Sequence, residues 1–310
     1  MLALVCAPAA DAQTVVRVRV DNDAFNFWQQ PWDRPDEEYS SGVRLSADLR
    51  GLPFWAFWMK RGSMMSAPCA RPRERCADQS WTLGQDIYTA PRKTGDQTPL
   101  PGSRPDAGLL WLQSMLRIAR AERLDELGLT IGVTGEPALA STFQRIAHSI
   151  ASGWTQPVDW TSQLPFEPVF GVAYDSHRLA RVGVLELQPH AGASLGNLLT
   201  EARVGLGARV GWNMLPPFLS AATEADYGVT VAADATARGV VWNETLSSTL
   251  FRASQHVTLR PLVAEWQIGV SARLKQLTLS YVVHQTGAEY TAMTAPHQWS
   301  SLQAAWEFGK

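Results

Sequence analysis

The chain has 310 residues, 45% hydrophobic and 18% charged, with a formal net charge of −2. That balance excludes the basic surplus expected of a nucleic-acid-binding protein. No apolar run after the N-terminus approaches the length of a membrane-spanning helix, but alternating strands of a β-barrel leave average hydropathy unremarkable.

The first residues, MLALVCAPAADAQ, read as the apolar core and small-residue end of a secretory signal, with Ala10-Asp11-Ala12 as an A-x-A cleavage site. Residues 1–12 are therefore expected to be a signal peptide, an incomplete one because no basic segment precedes the apolar core, and 13–310 the mature domain. A short buried N-terminal segment is the alternative. Cys6 leaves with the signal. Cys69 and Cys76 remain, in an Arg/Pro-rich stretch with no His or further Cys near enough for a zinc set, so a loop disulfide is expected in an exported protein.

From there the sequence alternates with the period of a strand. Val16, Val18 and Val20 oppose Arg17, Arg19 and Asp21. Leu127, Leu129, Ile131 and Val133 oppose Gly128, Thr130 and Gly132. Val204 to Trp212 opposes apolar residues to Gly205, Gly207, Arg209 and Gly211, and Ala264 to Ala272 opposes them to Glu265, Gln267, Gly269 and Ser271, with Arg273 next on the polar face. Twelve segments are predicted, at 14–22, 39–50, 80–90, 107–120, 125–135, 166–176, 181–194, 201–213, 227–242, 256–272, 276–288 and 298–308. An even number of long strands, apolar on one face and polar on the other, with Trp306 and Phe308 in the last, fits an all-β transmembrane antiparallel barrel better than a soluble sandwich. Two interruptions stand out. Leu52 to Gln79 contains PFWAFWMKRGSMM, read as an interfacial segment or a packed loop. Phe143 to Glu167 opens like a helix and carries His148, which makes it a short helical segment in an outer loop.

Strand parity gathers the polar candidates on one rim. If the N-terminus starts in the periplasm, Asn22-Asp23, Tyr39-Ser40, Gln85 and Tyr88, the chain after Arg104 and the helical segment all fall outside. Asn22 and Asp23 carry oxygens suited to a hard cation such as calcium; a turn with local hydrogen bonds is the other reading. His148, four residues after Gln144, shares its helix face and can act as a general base, or simply be a solvated loop histidine. There is no G-x-S-x-G elbow and no H-E-x-x-H motif, so a histidine-activated water is the more plausible nucleophile. Inward Arg17, Arg19, Arg209, Glu265 and Arg273 also suit a channel lining, although large side chains can fill a barrel of this size.

Taken in order, DND at 21–23, DEEYSSGVRLS at 36–46, LGQDIYTAP at 83–91, RPDAGLLW at 104–111, VTGEPAL at 133–139, Gln144 with His148, DWTSQLPFEP at 159–168 and LGN at 195–197 resemble the outer-membrane lipid A deacylases. Three segments depart from that pattern: Asp106 stands where an aromatic is usual, TAPRKT where T-P-x-D is, and the spacing from His148 to Gly153 is one longer, with Trp154 and Thr155 where an acidic residue is usual. The resemblance implies a twelve-stranded barrel in the bacterial outer membrane, its site facing outward. It implies calcium-assisted hydrolysis of the ester holding the 3′-linked acyloxyacyl chain of lipid A, the lipopolysaccharide anchor. Carried over, His148, Asn22, Asp23 and Ser40 are catalytic positions. Gln85, Arg104, Gln144 and Gln163 contact substrate, and Glu167 joins Asn22 and Asp23 around Ca2+. Arg92, Lys93 and Arg104 are candidates for the lipid phosphates. The expected partners are lipid A and outer-membrane lipids, with no nucleic acid, and the expected state is a monomer. The alternatives are a pore or structural barrel with a degenerate site, or a related phospholipid or glycolipid esterase.

Overall fold

The computed structural model describes residues 14–27, 37–61, 76–92, 98–120, 122–150, 158–218, 225–252 and 254–308, with backbone only for 58–61, 76 and 147–150. The signal segment and Cys69 lie outside them, as do Lys93 and the side chain of Cys76, and with these the expected disulfide.

Twelve strands wind antiparallel into a closed barrel. They are β1 (Thr14–Asn22), β2 (Glu38–Arg50), β3 (Cys76–Thr89), β4 (Ala107–Arg120), β5 (Arg123–Thr134), β6 (Pro168–Arg178), β7 (Leu185–Gly196), β8 (Leu199–Trp212), β9 (Tyr227–Asn243), β10 (Leu262–Leu274), β11 (Leu277–Thr286) and β12 (His297–Phe308). A three-residue piece, Ala180–Val182, continues β6 along the same neighbour, β7. β1 pairs with both β2 and β12, and β6 with both β5 and β7, so no strand presents an open edge.

The predicted segments match this order. The largest shift is in β10, expected from 256 but beginning at Leu262. Pro261, which has no N–H to give a ladder, stands just before it. The preceding residues bond instead to neighbouring loops, Arg260 N–H to Glu289 O at 2.8 Å and Val257 N–H to Leu246 O at 2.8 Å.

Alternation separates two surfaces. Val18, Val43, Leu45, Leu83, Ile131, Val204, Ile268, Leu279 and Leu302 stand exposed on the exterior, an apolar belt that suits hydrocarbon rather than water. Trp212, Tyr227, Trp306 and Phe308 gather at one end of it. This end is the turn rim, where β4–β5 and β10–β11 are joined by two-residue links; the other, the loop rim, carries segments 90–106, 135–167 and 244–261.

The lumen is filled with paired charge. Arg17 reaches Asp48 at 2.5 Å, Arg117 reaches Glu126 at 2.9 Å, and Arg209 reaches Glu186 at 2.6 Å. Arg238 bridges Glu201 and Glu265, and Arg44 bridges Asp21 and Asp86. Arg19 pairs with Asp21 at 2.6 Å, while Arg273 donates to backbone carbonyls of Ala225 and Asn213. The remaining space includes cavities of about 370 and 670 Å³ and, toward the turn rim, a third of about 370 Å³ lined by Arg17, Arg117 and Arg209.

Candidate active site

Asn22 ends β1 on the exterior face, in line with Val16, Val18 and Val20, and caps a 3₁₀ turn over Asp23–Phe25 by accepting Ala24 N–H at 2.7 Å. Its amide Nδ2 donates to the Ser40 carbonyl at 3.1 Å, which ties β1 to β2. Asp23 is buried within this turn.

Ser40 reaches the same face through a bulge. The register slips between Tyr39 and Ser41, and an extra residue in a strand re-aims its side chain. Strict alternation from Arg44 and Gly42 would send Ser40 into the lumen. Instead its hydroxyl meets that of Thr89, on the exterior row of β3, while Tyr39 faces the lumen with Tyr88. Gln85 stands on that row too, only 5% exposed, and donates Nε2–H to the Ala138 carbonyl at 2.5 Å. Asn22, Ser40 and Gln85 therefore occupy three successive strands, about 10 Å from first to third at the usual strand spacing.

A helix covers this wall. Gly135, with φ +77, turns the chain out of β5 into a 3₁₀ turn over Glu136–Ala138 and then α1 (Ala140–Ile150). It packs on β4 at Gly108, where an added Cβ would sit 2.5 Å from the Ala140 Cβ, so only glycine admits the helix this closely. Gln144 faces inward from α1, 7% exposed, while Phe143 and Ile146 stay exposed. Its Oε1 accepts Trp160 Nε1–H at 2.8 Å. Gln144 Nε2 and Gln163 Oε1 are buried without a hydrogen-bond partner among the described residues, leaving one donor and one acceptor beside the same helix. Asp159 caps the turn that carries Trp160 by accepting Thr161 N–H at 3.0 Å, which holds its carboxyl below the usual carboxylate range. His148 lies one turn beyond Gln144 on α1; its backbone is helical and its side chain lies outside the described atoms.

Two expected members stand elsewhere. Arg104 is 1% exposed at the lumen side of the loop rim. It lies 4.2 Å over the Tyr88 ring, donates to Thr245 Oγ1 at 2.9 Å and faces Glu38 at 3.5 Å and Glu289 at 3.9 Å. Burial among these partners removes it from lipid phosphates. Arg92 is likewise engaged, donating to Asp106 at 2.5 Å and to the Ala90 carbonyl at 2.8 Å. Two of the expected departures, Asp106 and TAPRKT, thus supply the two halves of one ion pair, while the third, at Gly153 to Thr155, lies outside the described residues.

Glu167 is set apart from Asn22 and Asp23, since β6 lies five strands around from β1. Its carboxylate accepts Leu250 N–H at 2.7 Å and Phe251 N–H at 3.0 Å. Beside it Glu244, fully buried, accepts the Thr134 hydroxyl at 3.2 Å, and burial with the neighbouring Glu167 charge pushes its pKa up to about 8. Among the described residues no group of three or more His, Cys, Asp or Glu is arranged to hold a metal. A set built on Glu167 does not fit; the oxygen-rich corner of Asn22, Asp23 and the Ser40 carbonyl has the right donor chemistry for a hard cation. Thr89 and Glu244 went unnoticed in the sequence. Thr89 lies in a strand at the right parity to be found, whereas nothing local marks Glu244.

A closed barrel with an apolar belt defines an outer-membrane protein, and in this one a cluster of polar residues sits on the exterior wall beneath a rim helix. Residues 1–308 match the family described as outer membrane protein LpxR, and the chain belongs to that family. Its structure is similar to that of LpxR from Salmonella typhimurium, with a TM-score of 0.73 at 18% identity over 94% of this chain and 99% of that one. The β domain of the Bordetella autotransporter BrkA is a more remote likeness, with a TM-score of 0.45 at 14% identity over 97% of this chain and 100% of that one. No curated protein matches the chain in sequence.

Proposed function

We propose that the protein is a lipid A deacylase that hydrolyses the ester of the 3′-linked acyloxyacyl chain. The observation that carries this reading is the exterior placement of Asn22, Ser40, Gln85 and Thr89 beneath α1 at the loop rim. A polar site there meets a substrate whose acyl chains already lie in the bilayer. Outer-membrane barrels carry their longer loops on the cell-surface side, which supports a site that faces lipopolysaccharide.

His148 takes a proton from water as the water oxygen attacks the acyl carbonyl, then returns it to the sugar alkoxide that leaves. The products are the free acyloxyacyl acid and a 3′-hydroxyl on lipid A. Such general-base assistance typically contributes about two to four orders of magnitude in rate. Gln144 and Gln163 offer the unmatched N–H and carbonyl to the polar head of the substrate. Asn22, Asp23 and the Ser40 carbonyl would hold calcium, which when bound supplies positive charge to the developing oxyanion. Glu167 serves instead to clamp the 250–251 backbone.

Paired charge through the lumen, with Arg104 tying four segments together at its loop-rim mouth, favours chemistry on the wall over conduction. The test is mass spectrometry of lipid A from cells with and without the protein, in calcium and in chelator. Loss of a mass equal to one acyloxyacyl group supports the reading. Unchanged lipid A together with ion conductance in planar bilayers overturns it.

A further inference from the structure

Below the site, the exterior wall of β3 and β4 is bounded at its other end by a second segment packed from outside. The 3₁₀ helix Phe54–Arg61 follows β2 and folds back onto the exterior face. Ala56 is fully buried against Ala77 and Leu116, and Trp55 donates Nε1–H to the Ser114 hydroxyl at 2.9 Å. Phe54 stacks on Trp81, centroids 6.1 Å apart with planes at 17°, yet remains 76% exposed. Trp81, Leu83 and Gln85 are successive exterior residues of β3, with Leu112 opposite Leu83 and Leu110 opposite Gln85. Between α1 above and the ring stack below lies an aliphatic strip of exposed Leu83 and half-buried Leu110 and Leu112. It is continuous with the apolar belt on one side and with Gln85 on the other.

We propose that this strip is an acyl-chain slot opening from the candidate site, with the Phe54–Trp81 stack as the stop that sets the preferred chain length. The proposal rests on the deacylase reading of the site and names a specificity determinant for it. Four residues of strand separate Gln85 from Trp81, about 13 Å. An extended chain advances roughly 1.25 Å per methylene, the projection of a C–C bond of about 1.5 Å. The slot therefore takes on the order of ten methylenes before the terminal methyl meets aromatic rings. A chain entering at the loop rim and running toward the turn rim also follows the direction in which acyl chains of the outer leaflet point. Phe54 owes its place to Trp55 and Ala56, whose anchoring on Ser114 and Leu116 would otherwise serve only to hold an exposed ring away from the wall.

Two measurements on the full chain in vesicles test this. In the first, the His148→Ala protein is photolysed with lipid A whose 3′-linked chain carries a diazirine near its methyl end. Labelling concentrated on Phe54 and Trp81 is expected. Equal labelling of Val18, Leu279 and Leu302, elsewhere on the belt, overturns the slot whether or not the protein hydrolyses anything. In the second, wild type, Phe54→Ala and Trp81→Ala act on lipid A of mixed chain lengths. Both variants should shift released acid toward longer chains by about fivefold, below the ~10–200-fold per methylene of an enclosed pocket because the slot is open to lipid at its sides. Normal release with an unchanged length profile in Phe54→Ala also overturns it. Failure of the wild type to release any acid sinks the deacylase reading instead, and the labelling pattern then decides the slot alone.

Discussion

The lumen and the wall beneath α1 are both rich in polar side chains, but they spend them differently. In the lumen, charge meets charge: Arg44 lies between Asp21 and Asp86, the Tyr39 hydroxyl sits 2.8 and 3.0 Å from the two carboxylates with one proton to give either, and Trp111 Nε1–H donates to Asp86 at 2.7 Å. Most formal charges are answered by an opposite one within the barrel, while Arg273 meets backbone carbonyls. On the wall the groups are mostly neutral and bond to backbone, and Gln144 Nε2 and Gln163 Oε1 stay unmatched under cover. Buried polar atoms without partners cost stability, and among the described residues the lumen has its own in Arg273 Nε and Trp299 Nε1. The two regions differ in charge pairing: ion pairs dominate the lumen, neutral groups the wall.

The largest effect should come from the wall. His148→Ala or Asp23→Ala is expected to lower acyl release by about 10²–10⁴-fold, while the barrel still inserts and resists dodecyl sulfate unheated. Full activity in either variant would remove the proposed site. The converse change belongs to the lumen. Arg44→Ala strips Asp86 of its cation and leaves Asp21 with Arg19 alone, and should cost about 3–5 kcal/mol, read as a lower midpoint in urea, with activity per folded molecule unchanged. If activity falls in step with stability there, the two regions are not separable. A smaller effect is expected of Gln85→Ala, which frees the Ala138 carbonyl and loosens the start of α1. About tenfold slower hydrolysis, equivalent to about 1.4 kcal/mol, should appear without loss of barrel stability.

A change read by pH and not by rate concerns the loop rim between the two regions. Glu244 titrates near 4.5 when unfolded and at about 8 in the folded protein. Between those values the folded form keeps a proton that the unfolded chain releases, so its contribution to stability is full below about 4.5 and is lost as pH rises through about 8. Glu244→Gln should flatten that slope in thermal melts between those limits. An unchanged slope would place the shared proton elsewhere.

Strand order, faces and rim assignment were legible because a period of two is written into every spanning segment, from Val16-Val18-Val20 to the last strand. Loop residues carry no such period. Arg104 looked available because its partners, Glu38, Thr245 and Glu289, come from three distant segments. Glu167 looked like a metal ligand because nothing in its own neighbourhood reveals that residues 250–251 donate to it. Ser40 shows the reverse case: alternation alone misplaces it, and only the bulge after Tyr39 returns it to the site.

The pairing of Asp106 with Arg92 has a consequence for how this chain can be altered. Asp106 also accepts Ala90 N–H at 2.9 Å and is itself 1% exposed. Replacing it with an aromatic would take the carboxylate from both groups at once, and replacing Arg92 alone would strand a buried anion. Each position therefore depends on the other, and a chimera that crosses over between residues 92 and 106 would keep one half of the pair without its partner.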